Sequence, residues 1–158
     1  MALGLAACRG SGGAAALRAL VVRLPQDTVR FAASATARRC VGGPGRGVVL
    51  QGANGGNGVL LWLRAPDSLG PGEWPVLQRV DSTTARGAIA GARFMIHEVA
   101  HGVPLDSGAV TVTRWGPAVT ARLRASGLEL AGGSRVVVDA TFLGVPLGPD
   151  TVSCRQAP

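Results

Sequence analysis

The sequence predicts an all-β domain, an antiparallel β-sandwich or barrel-like fold, on three observations. Residues 28–39 alternate between apolar and polar, which is the signature of a half-buried strand. Two β-prone runs, 47–51 and 59–63, flank the connection Asn54-Gly55-Gly56-Asn57-Gly58. Beyond Gly108, three more β-prone segments follow one another at regular spacing, as short strands of a sandwich or barrel do. A length of 158 residues suits one domain with enough apolar content for a real core.

In chain order, residues 14–24 fit two descriptions, because Leu17, Leu20, Val21 and Leu24 also fall on one face of a short N-terminal helix. Residues 28–39 place Val29, Phe31, Ala33, Ala35 and Ala37 on one side of a strand, with Arg30, Ser34, Thr36 and Arg38 on the other. Runs 47–51 and 59–63 form a hairpin, since Asn-Gly steps favour the positive φ of a tight connection. Residues 65–75 hold three prolines and two glycines and are expected to be a loop, with a short strand at 76–80. Trp62, Trp74 and Trp115 are expected to cover core edges. In 119–125 and 135–142, Val119, Ala121, Leu123, Ala125, Val136, Val138, Ala140 and Phe142 are expected to face one core; 109–113 is the third segment of this group.

The formal net charge is +7, and all sixteen basic residues are arginine. Lysine and tyrosine are absent while Ala, Gly, Val and Pro abound, the usage a GC-rich genome imposes. The arginines are spread along the chain with Arg38-Arg39 the one adjacent pair, and aromatics for base stacking are few, so no nucleic-acid partner is expected. No run reaches the roughly 18 to 20 apolar residues of a membrane-spanning helix; the stretch 14–24 is cut by Arg18 and Arg23. The glycine-rich stretches lack the Lys-Ser/Thr of a phosphate-binding loop, and a Ser-His-Asp triad has no support in the sequence.

Leu5-Ala6-Ala7-Cys8 resembles the lipobox of bacterial lipoproteins, whose cysteine becomes lipid-modified after cleavage. Residues 1–4 carry no basic residue and the apolar stretch is short, so 1–8 is read as a signal peptide truncated at its start, with an upstream start codon expected. Small residues after Cys8 suit a tether, so 9–27 is read as a tether or N-terminal segment, leaving 28–158 as the single β domain. If lipid occupies Cys8, Cys40 and Cys154 remain as a pair for a disulfide in an oxidising compartment. The alternative is two separate buried thiols in a cytosolic protein.

His97-Glu98-Val99-Ala100-His101 matches H-E-x-x-H and resembles the core of zinc metallopeptidases, in which two histidines hold the ion and the glutamate activates its water. That reading makes His97 and His101 zinc ligands and Glu98 catalytic, and it requires a helix. Residues i and i+4 of a helix stand about 5 to 6 Å apart at Cβ, whereas on a strand they are about 13 Å apart. For a helix over 85–101, Ile89, Ala92, Ile96 and Val99 make a stripe, Thr83 or Thr84 caps it, and Gly102 ends it. For a strand, Ala88, Ala90, Ala92, Phe94 and Ile96 alternate. Gly87 and Gly91 would each cost a helix about 1 kcal/mol. Arg93 would sit one turn from His97, and the downstream acids Asp106, Glu129, Asp139 and Asp150 all fall in turns or β-like segments. The strand is therefore the expected conformation, with no metal or cofactor and with zinc as the alternative.

From the lipobox through the strand ending in Cys40 and the Asp106–Thr113 segment to the closing Asp150-Thr151-Val152-Ser153-Cys154, the chain resembles short uncharacterised lipoproteins of GC-rich bacteria. The resemblance implies a β-sandwich at the cell envelope, periplasmic or on the outer surface, held to the membrane by its lipid anchor. It implies a binding or structural module rather than an enzyme; the alternative is a small zinc metallopeptidase.

Overall fold

The computed structural model describes residues 16–43, 45–78 and 85–155, and these form an all-β, sandwich-like domain. One sheet runs β6 (Gly72–Pro75), β9 (Ser107–Arg114), β10 (Ala118–Leu128), the first part of β11 (Arg135–Ser153), β1 (Leu17–Arg23) and β2 (Asp27–Ala33). The second runs from the last part of β11 through β3 (Ala35–Val41), β4 (Arg46–Asn54), β5 (Asn57–Ala65) and β7 (Gly87–Ile96) to β8 (Val99–Leu105). Strand β11 joins them: residues 136–142 lie between β1 and β10, and Val152 then pairs with Cys40 of β3. That β11–β3 contact is parallel, whereas every other pairing between these strands is antiparallel.

The inward faces of both sheets fill one core. All eight residues expected to face it from β10 and β11 are buried, none more than 6 % exposed. Residues 28–39 keep their inward parity, with Ala33 and Ala37 buried, but Ser34 divides them into β2 and β3 in different sheets. Period-two alternation reports which way a side chain points and is indifferent to which sheet receives it. The expected hairpin is β4–β5, closed by Gly55 at φ 58° and Gly56 at φ 83°, with Asn54 opposite Asn57. Both central residues lie in the left-handed region that a two-residue hairpin turn demands.

Three expectations are corrected. Residues 17–23 are a strand, not a helix: Leu17 and Val21 are buried, while Leu24, on the would-be helical face, is 45 % exposed. Pairing on both sides, with β11 and with β2, satisfies the β1 backbone and overrides a short amphipathic pattern. β1 thus belongs to the same sheet as β10 and β11. Residues 65–75 are not wholly loop, since β6 pairs with β9 and seats Trp74 fully in the core rather than at its edge.

Of the expected strand at 76–80, Val76 makes one parallel bridge to Ala88. Residues 79–84, with the capping candidates Thr83 and Thr84, lie outside the described residues. Among the described residues no helix is long and apolar enough to cross a membrane.

Candidate functional site

The H-E-x-x-H motif is the tip of a β-hairpin. β7 carries Ala88, Ala90, Ala92 and Phe94 inward, each at most 7 % exposed, as expected for a strand. Ile96 pairs with Val99, so His97 and Glu98 are the two central residues of the turn to β8, at φ 46° and 65°. Both are exposed. His101 lies opposite Phe94 on β8, and its ring stacks on that phenyl at 5.4 Å with 14° between the planes. The helical turn that lets two histidines share an ion is thus absent from this motif. Among the described residues no group of three or more His, Cys, Asp or Glu side chains is placed to hold a metal. His97 sits in the turn and His101 on β8, so the two do not share the helical face that the peptidase alternative needs.

The turn is built from residue types that rarely adopt its conformation. Side chains with a Cβ lose roughly 1–2 kcal/mol per residue in the left-handed region, which Asn and Gly tolerate. Replacing His97-Glu98 by Asn-Gly is expected to stabilise the fold by about 1–2 kcal/mol, raising the melting temperature by a few degrees. The same variant removes two motif residues. Zinc bound one-to-one by the wild type and lost in the variant would assign the motif to metal binding.

His101 belongs instead to a cluster that sequence reasoning missed. Its Nδ1 hydrogen-bonds Oε1 of Glu129, whose Oε2 accepts from Nε of Arg23 at 2.7 Å. The Glu129 side chain is 1 % exposed, against 28 % for Arg23 and 17 % for His101. The Arg23 hydrogen bond, followed by that of His101, holds the Glu129 carboxyl below the usual carboxylate range despite the opposing effect of burial. Arg23 also reaches Asp27 at 3.1 Å.

The three residues come from three strand ends. Backbone bonds tie the same region together, from Leu130 N to Gly102 O at 2.9 Å and from Asp106 N to Ser126 O at 3.0 Å. The cluster lies where β8 meets the chain leaving β10. A signal was present: counting by twos from Val119 along β10, or from Leu17 along β1, arrives at Glu129 and Arg23 on inward positions. Charged residues on a core parity announce a buried pair. Among the described residues the His101 ring makes its one side-chain hydrogen bond to Glu129, and the arrangement orients the imidazole without presenting it to a nucleophile.

At the opposite edge of the second sheet, Cys40 and Cys154 are joined, with Cα atoms 5.4 Å apart at a sequence separation of 114. The bridge lies under a small second core of Trp62 and Ile89, packed with Val49, Leu77 and Val152. Gly47 leaves the room: a Cβ there would stand 2.7 Å from Trp62 Nε1 and 2.9 Å from Cys40 Sγ. Cys8, the lipidation candidate, lies outside the described residues. No protein-family model matches the chain, and neither a curated protein nor a solved structure matches it.

Proposed function

We propose that the chain is an exported, lipid-anchored protein of the bacterial cell envelope, acting as a binding or structural module without a chemical step of its own. The observation that carries this reading is the Cys40–Cys154 bridge, because a disulfide tying a strand to the end of a domain belongs to oxidising compartments. With those two thiols paired, Cys8 is the one cysteine left for lipid, at the end of Leu5-Ala6-Ala7. The hairpin conformation of residues 97–101 adds support, since it takes from the peptidase alternative its required helix.

Expressed in a bacterium behind a complete lipoprotein signal peptide ending at Ala7, the protein is expected to enter the detergent phase on phase separation. Cys8→Ser is expected to move it to the aqueous phase. Unchanged partition of the variant would remove Cys8 as the anchor and the lipoprotein reading with it.

A further inference from the structure

Alternation along the first sheet sends one set of residues outward, away from the core. On β1 and β2 these include Arg18 and Arg30, on β10 Arg122 and Arg124, and at the start of β11 Arg135, all exposed. The acids on this face are Asp139 and Glu73, two negative charges against the five arginines named. Asp139 is held by Arg122 at 2.7 Å and by Arg124 at 3.5 Å. Arg18 and Arg30 have no ion-pair partner among the described residues.

Exposed aliphatic side chains interleave with these charges. Leu128 lies opposite Arg135, and Leu24 reaches the other side of Arg135 through its backbone N–H at 2.9 Å. Leu24 is 45 % exposed, Leu128 48 % and the neighbouring Val137 41 %. The aromatics of this sheet, Phe31, Phe142 and Trp74, point inward, so the face offers no ring for stacking on bases.

We infer that this outer face of the first sheet docks on a lipid bilayer rich in anionic headgroups, with the guanidinium groups on the phosphates and the Leu24, Leu128 and Val137 side chains at the acyl boundary. Guanidinium groups match phosphate oxygens geometrically, and apolar contact combined with attraction to anionic lipid is what holds a protein surface at an interface. A solvated basic surface would not require exposed leucines on either side of an arginine, whereas membrane contact uses both. This goes beyond lipidation of Cys8 and is independent of it.

The test uses full-length, unlipidated Cys8→Ser protein and sedimentation with vesicles of phosphatidylcholine alone or with one-third phosphatidylglycerol. Binding is expected only with the anionic vesicles and should weaken as salt is raised. Arg18→Gln/Arg30→Gln is expected to weaken it about 30-fold, from roughly fivefold per arginine near an anionic surface. Leu128→Ser/Val137→Ser should also weaken it, whereas Arg38→Gln/Arg93→Gln on the second sheet, with the same change in net charge, should leave it within twofold. Thermal melts establish that each variant is folded.

Equal binding to both vesicle types, no binding to either, an equal loss in the second-sheet variant or no loss in the Leu128/Val137 variant overturns the proposal. Retention on soluble polyglutamate without vesicle binding overturns it in favour of an acidic protein partner. Because Cys8 is already replaced, each of these outcomes is separate from success or failure of the lipid anchor.

Discussion

Replacing both Cys40 and Cys154 by serine is expected to lower the free energy of unfolding by about 4–5 kcal/mol. The bridge spans 114 residues, and tying so long a loop removes that much chain entropy from the unfolded state. For a domain of this size the loss corresponds to a melting temperature lower by roughly 10–20 °C. Urea titrations of the oxidised protein and the double-serine variant measure it directly. Trp62 serves as a local reporter, because it packs in the same small cluster as Cys154. Reduction of the wild type should reproduce the variant's midpoint. Curves that superimpose would mean that the second sheet holds its β11–β3 edge without the covalent link.

Glu129→Ala is expected to cost about 1–3 kcal/mol, since it removes two charge-assisted hydrogen bonds while Arg23 keeps Asp27 and part of its solvent contact. Glu129→Gln should fall between the variant and the wild type, since an amide still accepts one hydrogen bond but supplies no charge. The effect has a signed pH dependence. Arg23, then His101, holds the folded carboxyl below its ordinary 4.5. A carboxylate depressed on folding contributes stability that is present above the unfolded value and disappears as pH falls through the folded one. The wild-type urea midpoint is therefore expected to drop below about pH 4.5, and that part of the acid slope should vanish in Glu129→Gln. Parallel slopes in the two proteins would assign acid sensitivity elsewhere, with Asp139, lowered by Arg122, the next group to test by the same sign argument.

The all-β class, the β4–β5 hairpin and the inward sets of β7, β10 and β11 were legible in the residues, because side-chain period and turn chemistry are local properties that tertiary context here reinforced. The strand conformation of residues 88–96 was legible for the same reason, from alternating Ala88, Ala90, Ala92 and Phe94 and from two glycines unfavourable to a helix. The pairing of Cys40 with Cys154 was reached by arithmetic on three cysteines, without knowledge of their positions.

What tertiary structure alone decided is where strands change partners. Ser34 passes the chain from one sheet to the other within an unbroken alternation, and β11 serves both sheets. The conversion of a helix-like N-terminus into β1 was decided by two flanking strands, from β2 and from β11 more than a hundred residues away. The meeting of Arg23, Glu129 and His101 was decided in the same way. Each residue's inward direction is written in its own strand, but their proximity arises because the ends of β1 and β10 meet β8. No local period carries information about contacts made across that distance.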